Sequence, residues 1–212
     1  SGSYTVSWNW GDGNTDTTLT ASHTYASSGS YRLSLTVTSD MGCIDTLSSQ
    51  VDVFAMPTAT ISFNSDSVQC LNGNEFIVSD ATVNGVSRNW DFGNGAQDTA
   101  LQSRNKYNTS GNYTITLIVS NANGCIDTTT HDVMVLESPG ANYTINNPGQ
   151  CYQGNQFDVQ DQSSLSSGSY TVSWNWGDGN TDTTLTASHT YASSGSYRLS
   201  LTVTSDMGCI DT

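Results

Sequence analysis

Apolar and polar residues alternate with a period of two along most of this chain. In YRLSLTVTS, Tyr31, Leu33, Leu35 and Val37 fall on one face, and Arg32, Ser34, Thr36 and Thr38 on the other. The same alternation runs through YTITLIVS from Tyr113. It also runs through YTVSWNW, where Tyr4, Val6, Trp8 and Trp10 alternate with Thr5, Ser7 and Asn9. Period two with one apolar face predicts antiparallel strands packed over a core. No window carries the stripe of an amphipathic helix. The turn signals GDGN, SSGS and NANG recur about every eight to twelve residues, the spacing of an all-β sandwich. A small β unit depends on its aromatic side chains for buried area, so Trp8, Trp10 and Tyr31 are read as core rather than as a ligand platform.

The pattern is repeated. Residues 1–46 return without a change as residues 167–212, a period of 166. Surface positions tolerate most substitutions, so identity of this length reports recent duplication rather than a folding requirement. The expectation is a window on a longer array. A weaker repeat lies inside the period. FGNG from Phe92 answers WGDG from Trp176, SGNYTITLIVSNANGCIDT answers SGSYRLSLTVTSDMGCIDT, and CLNGNEF from Cys70 answers CYQGNQF from Cys151. Each period is therefore two diverged domains of about 80 residues. The expected division is a partial domain at 1–56 without its first strands, a complete domain at 57–138, and a domain at 139–212 lacking most of its last strand. The linkers fall at Pro57 and Pro139, between strand-like runs.

Composition narrows the partners. Charged residues make up 11% of the chain, yet its net charge is −14, and Lys106 is its single lysine. Nucleic acid and anionic lipid both select basic surfaces, so neither suits this chain. No apolar run approaches the ~18–20 residues of a membrane-spanning helix. A polar, acidic, lysine-poor surface suits a secreted protein that must stay soluble at high copy number, and equally a plain well-solvated exterior.

Taken in order, W-x-F/W-G-D/N-G, H-x-Y, G-x-Y-x-L/I-x-L-x-V and N-x-x-G-C resemble the PKD (polycystic kidney disease) domain. The resemblance covers the middle domain and both partial ones. It is specific from Trp90 to Gly95 and from Tyr107 to Val119, and generic over 58–80 and 126–138. It implies tandem immunoglobulin-like antiparallel β-sandwiches. The GCIDT endings, the Pro-x-Ala linkers and the scarcity of lysine resemble tandem PKD arrays of gliding Bacteroidota. Those arrays imply adhesins or filaments exported by type IX secretion. Other PKD domains serve as spacers beside proteases and chitinases, sometimes assisting polysaccharide or collagen binding. One departure is Asn94, which stands where the family's turn is usually acidic.

Catalytic chemistry is absent from the pattern. His23 and His189 are one repeat position inside the family's H-x-Y segment, and the middle domain has Asn105 there. No GxSxG, HExxH or glycine-rich phosphate loop occurs, and no paired carboxylates suggest acid–base work. The chain is read as no enzyme and as needing no cofactor, with calcium the one metal to weigh. Asp12, Asn14 and Asp16, and their copies Asp178, Asn180 and Asp182, have the D-x-N-x-D spacing that opens many calcium loops. The twelfth position is His23 rather than a bidentate Glu, which excludes an EF-hand. The competing reading is a hairpin turn closed by Asp12 and Asn14, with glycines supplying positive φ.

Five cysteines occur: Cys43, Cys70, Cys125, Cys151 and Cys209. Each domain has one between its first two strands (Cys70, Cys151) and one after its last hairpin turn (Cys43, Cys125, Cys209). Two per domain in a secreted chain point to disulfides. Pairing within a domain gives Cys70–Cys125 and Cys151–Cys209. In a sandwich those two loops sit at opposite ends, roughly 20 Å apart, whereas bridged Cα atoms lie within about 7 Å. Pairing across a joint gives Cys70–Cys209 and is preferred, unless a bent first strand brings Cys70 to Cys125. Cys43, Cys125 and Cys151 then await partners in neighbouring repeats.

Asp-Ser/Thr followed by a small or apolar residue or Thr marks Thr17, Thr46, Ser67, Thr99, Thr128 and Thr183. This resembles the O-glycosylation acceptor of Bacteroidota secreted proteins. The functional expectation is a repetitive stalk or filament body, its partners being neighbouring identical repeats, other copies in a fibre, and covalent glycans. The alternative is a carbohydrate- or protein-binding accessory module, which would present exposed aromatics in a row. The outward strand positions are instead Ser, Thr and Arg.

Overall fold

The structure is a computed structural model describing residues 2–212. All the regular elements among the described residues are β-strands, as the period-two alternation predicts. The first stretch holds β1 (Tyr4–Asn9), β2 (Thr15–Asp16), β3 (Gly29–Ser39) and β4 (Ile44–Val53). The middle stretch holds β5 (Ile61–Phe63), β6 (Val68–Cys70), β7 (Phe76–Asp80), β8 (Ser87–Asp91), β9 (Gln97–Asp98), β10 (Gln102–Asn105), β11 (Gly111–Ser120) and β12 (Ile126–Leu136). The last holds β13 (Tyr143–Ile145), β14 (Phe157–Asp161), β15 (Tyr170–Asn175), β16 (Thr181–Asp182), β17 (Thr186–His189), β18 (Ser200–Ser205) and β19 (Ile210–Asp211). The chain divides into two compact units. One comprises residues up to 60 with 82–88 and 118–128; the other comprises 61–81, 89–117 and 129–212.

Residues 2–56 contribute one four-stranded sheet, ordered β2-β1-β3-β4. Its register sets Trp8 opposite Leu35 and Val6 opposite Val37, so the apolar halves of both strands share a face. β4 pairs with β3 along its whole length, from Gly29↔Val53 to Thr38↔Ile44. The middle stretch has a three-stranded sheet, β10-β7-β5, and a five-stranded one, β6-β12-β11-β8-β9. Its fully buried side chains include Phe76, Val78, Trp90, Ile115 and Leu117. The odd-numbered positions of YTITLIVS are therefore the inward ones.

The last stretch folds as sheets β13-β14-β17 and β16-β15-β18-β19. Val159, Val172, Trp174, Trp176, Ala187, Tyr191, Leu201 and Val203 fill the space between them. Burying each such side chain is worth about 1.5–3 kcal/mol, which lets so small a sandwich hold together. Tyr143 packs edge-on against Trp174 at 5.4 Å, and Phe157 edge-on against Tyr191 at 5.3 Å.

Trp174 and Trp176 are 0% and 2% exposed, and this repeat position is a core position of the 137–212 sandwich; their copies Trp8 and Trp10 are half-buried.

Candidate functional site

The WNWGDGNTDT turn is built by its own backbone requirements. After Trp176, Gly177 takes φ +80, and a Cβ there would lie 2.6 Å from the Arg198 carbonyl oxygen. Only glycine permits both that conformation and that approach. The Trp176 N–H then donates to the Asn180 carbonyl at 3.1 Å, closing the hairpin. The Trp174 indole N–H donates to the Thr184 carbonyl at 2.9 Å, and the Tyr191 hydroxyl to the Trp176 carbonyl at 2.7 Å. The polar ends of these buried aromatics are therefore satisfied.

Asp178 sits at the centre of the turn. One carboxylate oxygen accepts the Asn180 N–H at 3.0 Å. The other accepts the Asn180 side-chain amide at 3.0 Å and meets His189 Nε2 at 2.7 Å. Partial burial pushes the Asp178 carboxyl up, but the bonds from Asn180 and His189 together outweigh it and hold the group below its ordinary value. His189 stacks on Trp176 at 4.8 Å and meets the edge of Tyr191 at 4.7 Å. In the first copy the Asn14 N–H does most to draw Asp12 down to about 2, with His23 at 2.6 Å adding to it. The middle stretch replaces both partners: Asn94 accepts the Ala96 N–H at 3.1 Å, and Asn105 stands at the histidine position. An aspartate and a histidine are present together or absent together, so they form one structural pair.

This bears on the calcium residues. Asp182 accepts the Thr184 N–H at 2.8 Å and its hydroxyl at 2.5 Å, and Asp16 does the same with Thr18. Asp12, Asp16, Asp178 and Asp182 are thus all engaged by donors two residues on, and Asn14 and Asn180 are two of those donors. Among the described residues, no three His, Cys, Asp or Glu side chains converge in a metal-holding group.

Cys70 and Cys209 form a disulfide, with Cα atoms 5.5 Å apart and 139 residues between them in sequence. Cys70 ends β6, which pairs in parallel with the end of β12, Leu136 opposite Cys70. Cys209 is fully buried beyond the last hairpin turn, its N–H on the Ser205 hydroxyl at 3.0 Å. Cys43 and Cys151 are exposed and Cys125 is half-buried; all three are free thiols. The Cys125 N–H donates to Asn121 Oδ1 at 3.0 Å, while Asn121 Nδ2 donates to the Ala55 carbonyl at 2.7 Å. The turn carrying Cys125 is therefore anchored to the segment that precedes Pro57.

Two further positions emerge only from the structure. Asn74 and Asn155 are buried, and each clamps a tyrosine backbone: Asn155 Oδ1 accepts the Tyr191 N–H at 2.8 Å and its Nδ2 donates to the Tyr191 carbonyl at 3.1 Å. Asn74 does the same to Tyr107. The shared C-x-x-G-N spacing was their signal. His131, stacked on Phe63 at 4.2 Å and bonded to the Ser67 hydroxyl at 3.0 Å, has no counterpart in the repeat and gave none. That bond leaves Ser67 half-buried and engaged, whereas Thr17, Thr46, Thr99, Thr128 and Thr183 are exposed.

The fold and the site define a class: immunoglobulin-like β-sandwiches in tandem, built around a Trp-x-aromatic-Gly turn and tied by a disulfide. Comparison then identifies the family. The PKD domain matches residues 1–55, 55–136 and 137–212, and the chain belongs to that family. Among solved structures it is similar to the PKD1 domain of the Vibrio cholerae metalloprotease PrtV, with 27% identity. That match covers 39% of this chain and 99% of that one, with a TM-score of 0.34. The PKD1 domain of Vibrio anguillarum Epp is 28% identical, covering 39% and 96%, with a TM-score of 0.34. A 1.5-MDa bacterial ice-binding adhesin is 15% identical over 98% of this chain and 82% of that one, with a TM-score of 0.38. No curated protein matches the chain.

Proposed function

We propose that this chain is part of the repetitive stalk or filament body of a secreted cell-surface structure, in which PKD sandwiches act as stiff spacers without catalytic activity. The observation that carries this reading is the Cys70–Cys209 bond, which joins the matched segment 55–136 to the matched segment 137–212. Consecutive beads on a single-chain linker pivot freely unless the interface is large. A covalent tie at the joint removes most of that freedom. An array stiffened in this way gains length in proportion to its copy number. An adhesin or fibre of the Bacteroidota type, exported by type IX secretion, is the particular setting we propose. Glycans on the exposed threonines Thr17, Thr46, Thr99, Thr128 and Thr183 would suit that exterior.

Small-angle scattering of the chain with and without reductant tests the spacer reading. Reduction is expected to broaden the distance distribution while leaving strand content unchanged. An identical distribution in both states would remove the disulfide as a stiffening element. Intact mass of native material tests the glycans: the bare polypeptide value would refute them.

A further inference from the structure

Four Asn-Gly dipeptides occur in the chain, Asn72-Gly73, Asn84-Gly85, Asn94-Gly95 and Asn123-Gly124, and all lie in the middle stretch. At the turns equivalent to three of them the last stretch has Gln153-Gly154, Asp178-Gly179 and Met207-Gly208. Asparagine is a labile side chain. Before glycine it is at its most exposed, because the next residue has no Cβ to shield its amide nitrogen.

The four sites differ in their geometry. Asn94 is exposed, and a Cβ on Gly95, at φ +88, would meet nothing within 4 Å. Asn94 Oδ1 accepts the Ala96 N–H at 3.1 Å, which lays the carboxamide along the Gly95 peptide. Among the described residues no hydrogen bond holds Asn94 Nδ2 or the Gly95 N–H. The would-be leaving group and the would-be nucleophile are both unengaged, while the carbonyl between them is polarised. At Asn123 the Gly124 N–H is tied to the Asn121 carbonyl at 3.1 Å. At Asn84 a Cβ on Gly85 would lie 2.9 Å from Thr82 Cγ2, so the approach is crowded. Asn72-Gly73 is open, but no N–H is directed at its carboxamide among the described residues.

We propose that Asn94 is a self-modifying site, converted to aspartate through a cyclic imide formed with its own backbone. The Gly95 nitrogen attacks Asn94 Cγ; the N–Cγ bond forms, the Cγ–Nδ2 bond breaks, and Nδ2 leaves as ammonia with the proton from Gly95. Ring closure is intramolecular and needs no partner molecule. The Ala96 N–H already points at the oxygen on which negative charge develops, and so stabilises the intermediate. Water then opens the ring. Attack at Cγ gives aspartate, and attack at the main-chain carbonyl gives isoaspartate. No electrons are transferred, and solvent is the one co-reactant.

The aspartate product fits the turn. Asp12 and Asp178 occupy this position in the other two copies, and each accepts the N–H two residues on, at 3.0 Å. A carboxylate at position 94 would accept the Ala96 N–H in the same way, more strongly than the amide does. The isoaspartate product adds a main-chain carbon between residues 94 and 95. That insertion opposes the Phe92 N–H bond to the Ala96 carbonyl, 3.1 Å, that closes the hairpin. The chemistry adds one negative charge to the middle domain and gives all three turns the same acidic residue. It is independent of the spacer reading.

Incubating the intact chain at mildly alkaline pH, followed by peptide mapping with mass detection, tests the proposal. Asn94 is expected to convert first, about tenfold faster than Asn123, the rate equivalent of one retained hydrogen bond. In denaturant that lead is expected to vanish, since all four sites then share the Asn-Gly sequence without the turn. The Asn94→Asp variant is expected to co-elute with the main product and to keep the thermal midpoint of the unmodified chain. Absence of a lead at Asn94 in the folded chain would overturn the proposal. So would a lead that persists undiminished in denaturant, because the turn would then contribute nothing. A clearly lowered midpoint for Asn94→Asp would overturn the claim that the fold accepts the product.

Discussion

Cys70 and Cys209 are covalently joined although each belongs to a different matched domain, and each holds its place through backbone bonds of its own domain. Closing a loop of this length removes about 4–5 kcal/mol of chain entropy from the unfolded state in the simplest treatment. Measured values for native bridges are more commonly about 2–5 kcal/mol. Cys70→Ser is therefore expected to lower the calorimetric midpoint clearly. Cys43→Ser, at an exposed free thiol, is expected to leave it unchanged. Equal midpoints for the two variants would remove the bridge as a stabilising element.

Gly177 and Gly179 allow strain and collision to be separated. Both take positive φ, +80 and +98, but a Cβ on Gly177 meets the Arg198 backbone at 2.6 Å while one on Gly179 meets nothing within 4 Å. Gly179→Ala is expected to cost about 1–2 kcal/mol, from left-handed backbone alone. Gly177→Ala should cost at least about 1 kcal/mol more, because strand backbone must shift. Chemical denaturation of the two variants side by side checks the order, and a reversed order would refute the argument.

Acid should destabilise the sandwiches in a defined window. Asp98 and Asp182 are drawn below the ordinary carboxylate value, chiefly by the hydroxyls of Ser103 and Thr184, and Asp12 is drawn to about 2. A carboxyl whose folded value is depressed contributes stability that is complete above its unfolded value. That contribution is lost as the pH falls through the folded value. The thermal midpoint is expected to be level down to about pH 4, near the unfolded value, and to fall between about pH 4 and 2. Asp98→Asn should lower the midpoint at neutral pH and flatten the acid slope. A midpoint that stays level to pH 2 would contradict this account.

Chelation addresses the calcium residues directly. Asp12 and Asp178 already accept two bonds each from their asparagines and one contact from a histidine. A cation would have to displace those donors. Adding EDTA is expected to leave the thermal midpoint where it was. A fall of several degrees, reversed by calcium, would instead make the turn a metal site.

The residues determine much of this protein without help from the fold. Alternation in YTITLIVS and YTVSWNW marks the inward faces, because strand side chains change sides at every residue. The glycines and Asx residues of GDGN set the hairpin, since the bonds that close it are local. What lies far apart in sequence was decided by tertiary structure. Nothing local reveals that Asn155 grips the Tyr191 backbone or that His131 engages Ser67. The Cys70–Cys209 bond, by contrast, is the pairing preferred from sequence, because the two cysteine-bearing loops of one sandwich lie at opposite ends. The clearest case of tertiary control is Trp174. The alternation of YTVSWNW gives it an inward face, but its full enclosure requires a second sheet, β13-β14-β17, and the edge-on packing of Tyr143 from a strand well upstream, which no local pattern announces.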